Sequence, residues 1–176
     1  DFNRPYLSSD AAIKVFYKKY AFMERVDWSN TLVAGGAVCY ALTSTAANDL
    51  DIFIYGLDTK SATAKIKSTL KSIMTGRYIN KLSDSIQEST RKLKKLKQDI
   101  GVEKSDIKRK SLHNQIEHIK KILTKLKLEK TQTDFRKVID FNNFSFIRNN
   151  NSISAVCRDI TIQFILRLYK TKSEIL

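Results

Sequence analysis

Residues Leu32-Val33-Ala34-Gly35-Gly36-Ala37-Val38-Cys39-Tyr40-Ala41-Leu42, followed by Asn48-Asp49-Leu50-Asp51-Ile52-Phe53-Ile54-Tyr55-Gly56, decide the reading of the fold. The first part is a short apolar run, a double glycine and an Ala/Val/Tyr/Leu segment of helical character. The second part reads as a strand that opens with two acids. Side chains alternate along a strand, so Asp49 and Asp51 share one face while Leu50, Ile52 and Ile54 share the other. The apolar face enters a core, and the two carboxylates stand side by side at the rim, about 7 Å apart along the chain. At that separation they can share or bridge divalent cations. The plainer alternative is a tight glycine turn followed by an edge strand with two solvated acids.

Length and composition set the bounds. A chain of 176 residues is one domain of ordinary size, or one domain carrying an insertion. An apolar content of 42% supports a core, and 10% aromatic residues argue against wholesale disorder. The formal charge of +14 suits polyanions: nucleic acid, nucleotide phosphates or an anionic membrane surface. Lysine, asparagine and isoleucine are heavily used, so part of that basicity reflects compositional bias. Cys39 and Cys157 are the only cysteines and sit in apolar stretches, which reads as two buried thiols in a reducing intracellular compartment. No apolar run is long enough for a transmembrane helix, and no signal-peptide pattern opens the chain. The chain starts at Asp1 and stops at Glu174-Ile175-Leu176, which reads as a piece of something longer.

Along the chain, Ser8-Ser9-Asp10 precede Ala12, Ile13, Phe16, Tyr17, Tyr20 and Met23 at helical spacing, predicting a capped amphipathic helix. Trp28 reads as a core-edge aromatic, with base stacking as the sharper alternative. After the acidic strand, a helix is expected from about Ser61, with Ile66, Leu70 and Ile73 on its apolar stripe.

Residues 81–130 differ in kind. They contain no aromatic residue and hold 15 Lys/Arg against 7 Asp/Glu, supplying +8 of the net charge. Leu82, Ile86, Leu93, Leu96 and Ile100 form one intermittent series, which Gly101 is expected to break. Leu112, Ile116, Ile119, Leu123 and Leu126 then follow at steps of four, three, four and three, a heptad seam. The expectation is a basic antiparallel coiled-coil hairpin inserted into the domain. It would serve nucleic-acid contact, self-association or protein assembly, or be a solvated surface. His113 and His118, five apart, share no helix face and read as exposed.

From Phe135 onward the pattern is read as period two. Phe144–Ile147 and Ser152–Val156 flank Arg148-Asn149-Asn150-Asn151, a hairpin turn that asparagine favours. Ile160, Ile162, Phe164, Leu166 and Leu168 give the cleanest alternation in the chain. A further helix is expected from Thr171.

Gly35-Gly36, twelve residues and then Asp49-Leu50-Asp51 resembles the signature of the DNA polymerase beta-like nucleotidyltransferase superfamily. The run from Ile162 to Leu176 is similar to a subgroup found in large DNA viruses, amoebae and fungi, often beside ankyrin repeats. The resemblance covers 32–55 and 144–176, and the basic insertion lies outside it. It implies an α+β fold with a mixed or antiparallel sheet and flanking helices, divided as 1–80, an inserted hairpin 81–133, and 134–176. It further implies a metal-dependent transfer of a nucleoside monophosphate from NTP to an acceptor hydroxyl. Gly35 and Gly36 would cradle the triphosphate, where glycine allows close backbone approach and a helix start offers N–H groups. Asp49 and Asp51 would bind Mg²⁺ or Mn²⁺ through hard oxygens. Two such ions about 3.5–4 Å apart stabilise the attacking and leaving oxygens of an in-line transfer. Arg148 or Arg167 would neutralise phosphate, although Arg167 reads better as a solvent-facing strand residue.

The superfamily also uses a third carboxylate on a neighbouring strand. In the viral subgroup an acidic strand follows the "SEIL" run, and this sequence stops before it. Within the chain the candidates are Asp140, in the frame Val138-Ile139-Asp140-Phe141, and Asp159. Asp140 has the better local pattern and stands as the third catalytic expectation. The alternative is a catalytically inactive protein of the same fold, acting as a nucleic-acid-binding or virion component.

Overall fold

A computed structural model describes residues 7–47 and 49–176. The chain divides into two compact units. Residues up to Arg77 with Ile139–Leu176 form one, and Tyr78–Val138 form the other.

In the first unit, α1 spans Ser9–Lys19. Ser8 caps it by accepting from the Ala11 amide at 3.4 Å, Asp10 sits in the first turn, and Lys18 and Lys19 lie in the last. Each charge complements the helix dipole at its end. A 3₁₀ turn, Ala21–Arg25, buries Phe22 and Met23. Strand β1, Thr31–Ala34, then runs through the glycine pair into α2, Gly36–Thr43. Strand β2 is Asp49–Tyr55. Three further strands follow late in the chain: β3 Ser145–Arg148, β4 Ser152–Cys157 and β5 Ile160–Tyr169. They make one mixed five-stranded sheet in the order β1-β2-β5-β4-β3. Only β2 and β5 pair in parallel; the other neighbours are antiparallel.

The alternation in β2 fixes the sheet's faces. Leu50, Ile52 and Ile54 are buried, and in β5 Ile160, Ile162 and Phe164 join them, with Leu50 beside Ile162 and Ile52 beside Phe164. Burying each such side chain stabilises the fold by roughly 1.5–3 kcal/mol. A one-residue slip would exchange those residues for Asp49 and Asp51, so burial of hydrophobes and exclusion of carboxylates select the same register.

Helix α3 spans Thr59–Val102. Its first part packs Ile73 into the core with Met23, Val26 and Tyr20. Gly76 permits this approach, because a Cβ there would overlap the Phe22 carbonyl. One turn of helix further on the packing becomes polar. Buried Asn142 donates from Nδ2 to the Met74 carbonyl at 2.9 Å and accepts from Arg77 Nε at 2.9 Å.

In the second unit, the later part of α3 is joined by residues 103–105 to α4, Asp106–Thr131. The Tyr78 hydroxyl donates to the Glu129 carboxylate, linking the start of this unit to the end of α4 as an antiparallel pair requires. Ile116 and Leu123 are buried, and Leu112, Ile119 and Leu126 are partly sheltered, so the expected seam is the inward face of α4.

Four expectations need correction. Gly101 does not break the helix: α3 continues through it to Val102 and is continuous with the helix that starts at Thr59. An exposed glycine disfavours helix by only about 1 kcal/mol, less than a packed helix recovers elsewhere. Phe135–Asn142 is a helix, α5, where period two was expected. Val138 and Asn142, four apart on one face, are its buried positions. Cys39 is exposed and Cys157 is half-buried, unlike the two buried thiols expected. The end of the chain forms a short 3₁₀ turn, Lys172–Glu174, where a helix was anticipated.

Candidate functional site

The site is assembled where β1 passes into α2 alongside the start of β2. Ala34 is the register partner of Asp51, so the chain turns at Gly35 directly beside that carboxylate. Gly35 has φ 73° and ψ −146°, a backbone conformation that is essentially restricted to glycine. A Cβ on Gly35 would lie 2.6 Å from Asp51 Oδ2, and one on Gly36 would lie 3.5 Å from Asp49 Oδ1. The two glycines and two carboxylates predicted from sequence are therefore brought together. This close approach exists because neither glycine carries a side chain.

Asp49 is exposed and Asp51 is half-buried. Neither carboxylate has a hydrogen-bond or ion-pair partner among the described residues. Burial, and then the neighbouring charge of Asp49, raise the Asp51 pKa above the usual carboxylate value. Two acids with no counter-cation form an electrostatic deficit that a bound divalent cation would fill. Oxygen-only donors suit Mg²⁺ or Mn²⁺, and the open glycine side leaves room for phosphate oxygens and water. The residues present fit such an ion.

The third expected carboxylate is not added. Asp140 sits exposed on helix α5 and not on a strand neighbouring β2. Asp159 is held by Arg77 at 2.8 Å, which lowers its pKa. No group of three or more His, Cys, Asp or Glu side chains among the described residues is arranged to hold a metal. The position beside Asp51 on the neighbouring strand β5 belongs to Gln163, whose Nε2 donates to Ser152 Oγ at 2.8 Å. Arg148 lies exposed on the edge strand β3, with β4 and β5 between it and β2. Arg167 is exposed toward the far end of β5, over the Tyr169 ring.

Sequence reasoning missed two basic residues. Lys19, the last residue of α1, donates to the Ala47 carbonyl at 2.7 Å and stands 4.1 Å from the centre of the Tyr40 ring. That carbonyl lies two residues before Asp49, which places a cation beside the entry to β2. Arg77 is anchored between Asn142 and Asp159. Lysine in a last helical turn is the only hint that sequence provides, and it is shared by most helices.

Comparison with known proteins adds a family. The profile described as "Gad2: Gabija anti-defense 2 family protein" matches residues 8–176. The chain belongs to the Gabija anti-defense 2 family. This member is also 26% identical over 167 residues to an uncharacterized protein of Acanthamoeba polyphaga mimivirus. The match covers 93% of the present chain and 26% of that viral protein, so the chain spans about a quarter of its relative's length. No solved structure matches this family member.

Proposed function

We propose that this Gabija anti-defense 2 family member binds a divalent-cation–nucleoside triphosphate complex and transfers the nucleoside monophosphate to an acceptor hydroxyl, in opposition to the Gabija defence. The opposing role is taken from the family's description. The nucleotide chemistry rests on one observation above the others: the close approach of Gly35 and Gly36 to Asp51 and Asp49. In this reading the glycine turn and the first N–H groups of α2 face the triphosphate, and the two aspartates hold Mg²⁺ or Mn²⁺. The cation supplies charge neutralisation and Lewis acidity at the reacting phosphate. The acceptor oxygen forms a bond to the α-phosphorus, the bond to the pyrophosphate oxygen breaks, and the hydroxyl proton passes to solvent.

One observation favours a second reading, a nucleotide-holding protein that does not transfer. Gln163 occupies the register position beside Asp51, and an amide cannot accept a proton from the attacking hydroxyl. General-base help is typically worth about 10²–10⁴-fold. In this reading the basic 81–130 hairpin contributes nucleic-acid binding or assembly.

The test is a transfer assay with each labelled NTP in Mg²⁺ and in Mn²⁺, run beside metal-dependent retention of the same NTPs. Label on a protein, nucleic-acid or small-molecule acceptor supports transfer. Retention with no transferred label supports the second reading. Absence of both removes the nucleotide assignment.

A further inference from the structure

A cavity of about 420 Å³ opens in the sheet-bearing unit, walled by Ile13 and Phe16 of α1, Val38 of α2, and residues 31–33 of β1. Its size is that of a ligand-holding cleft. Consecutive strand residues point to opposite faces of a sheet, so a cavity that touches Thr31, Leu32 and Val33 together cannot lie over one face. It runs along the outer edge of β1. Among the described residues that edge has no neighbour, because β1 ends the strand order and pairs only with β2. In an antiparallel pair, alternate residues turn their N–H and C=O groups away from the partner strand, so part of the β1 backbone faces outward. The Thr31 amide reaches the Trp28 carbonyl at 3.3 Å, and no other backbone group of residues 31–34 bonds outside the sheet among the described residues.

Strand edge and cavity together specify the occupant. Natural edge strands are guarded by lysine, proline or a bulge, and Thr31-Leu32-Val33-Ala34, in unbroken register with β2, has none of these. A lipid chain or a small apolar molecule would fill the cavity and leave the strand edge unpaired. An extended polypeptide satisfies both, since its backbone pairs with β1 and every second side chain enters the cavity. Lys172 sets the charge: it lines the cavity, is exposed, and has no ion-pair partner among the described residues. It stands 5.5 Å from the centre of the Tyr55 ring. Because Thr31 pairs with Ile54, Tyr55 lies beyond the Thr31 end of β1, and Lys172 marks that end. A second copy of this chain is a poor occupant, since each carries a formal charge of +14.

We propose that the β1 edge and its cavity dock an extended segment of a partner protein, one with alternating apolar side chains and an acidic residue at the Thr31 end. Main-chain hydrogen bonds to β1 supply affinity, and the cavity between α1 and α2 selects the side chains. The acidic residue pairs with Lys172 and fixes the register of the segment. Docking there needs neither metal nor nucleotide at Asp49 and Asp51.

The experiment selects short random peptides, displayed on phage, against the full chain and measures the recovered peptides by fluorescence anisotropy. Ile13 is 54% exposed, so Ile13→Glu puts a carboxylate on the apolar wall without entering the core. Affinity is expected to fall about tenfold in that variant. Lys172→Glu is expected to weaken acidic peptides a few-fold, and lysine in place of the peptide's acid is expected to restore them. N-methylation of alternate peptide amides is expected to abolish binding in one set and to be tolerated in the other, because only one set faces β1. Asp49→Asn/Asp51→Asn is expected to bind the peptides as wild type does, which separates this site from the metal–nucleotide site. Recovery of no peptide that binds wild type would overturn the proposal. So would binding that survives Ile13→Glu or every N-methylation unchanged, or a dimer in sedimentation that Ile13→Glu dissociates.

Discussion

The Cβ that Gly35 lacks would sit 2.6 Å from Asp51 Oδ2, closer than a carbon and an oxygen can approach without displacement. The turn and the carboxylate are thus fitted to each other through an absent side chain. Gly35→Ala is expected to lose metal-dependent nucleotide retention and to lower stability by about 1–3 kcal/mol, the range for a strained backbone conformation. Urea denaturation gives the second figure, and filter retention of labelled NTP gives the first. Full retention in this variant would show that the carboxylate is not held against the turn.

Asp51 gives a pH dependence of defined sign. Burial and then the charge of Asp49 raise its folded pKa above that of an ordinary aspartate, so the native state binds the proton more tightly than the unfolded chain. The ionised residue therefore costs stability, and that cost grows as pH rises from about 3.8 through the folded pKa and then levels off. Asp51→Asn is expected to be more stable than wild type at pH 7, with the difference shrinking toward pH 3. Melting curves across that range, with and without Mg²⁺, provide the check. Mg²⁺ at pH 7 is expected to raise the wild-type midpoint and leave the variant's unchanged.

Gln163 is the neighbour that an acid would replace. Gln163→Glu keeps side-chain length and places a third carboxylate beside Asp51 in the β2–β5 register. Without metal the added charge is expected to lower the melting temperature; with Mn²⁺ or Mg²⁺ the variant is expected to recover it and to bind the ion several-fold more tightly than wild type. Metal titration followed by melting is the measurement. Indifference of the variant to both ions would place residue 163 outside the metal site.

Much of this was legible because it is local. Strand β2 announces itself by alternating Asp49, Leu50, Asp51 and Ile52, and the Asn149–Asn151 turn marks the β3–β4 hairpin. The steps through Leu112, Ile116, Ile119 and Leu123 identify the inward face of α4. The failures follow from competition that sequence does not display. Phe135–Asn142 satisfies both a short strand and a helical face, and only the anchoring of Asn142 to Met74 and Arg77 shows which is used. Lys19, Arg77 and Asp159 come from three separate places in the chain, so no spacing rule relates them. Nothing in the sequence distinguishes Gly76 from any tolerated helical glycine; its role lies in the Phe22 backbone that packs against it.

That contact supplies a stability prediction independent of any ligand. Gly76→Ala would raise intrinsic helix propensity by roughly 1 kcal/mol, yet its Cβ overlaps backbone that cannot rotate away. Overpacking at a rigid neighbour typically costs about 1–3 kcal/mol, so net destabilisation is expected. The denaturation midpoint decides the sign. A more stable variant would mean that α3 shifts freely against the 3₁₀ turn.

The central claim is that Asp49, Asp51 and the glycine turn form one metal–nucleotide site. Its most direct test is a calorimetric titration of the wild-type chain and of Asp49→Asn/Asp51→Asn with each NTP, in Mg²⁺ and in EDTA. The account predicts NTP binding by wild type that requires the divalent ion and disappears in the double variant, with both proteins folded by circular dichroism. NTP binding that is equal in EDTA, or that survives unchanged in the double variant, would contradict it.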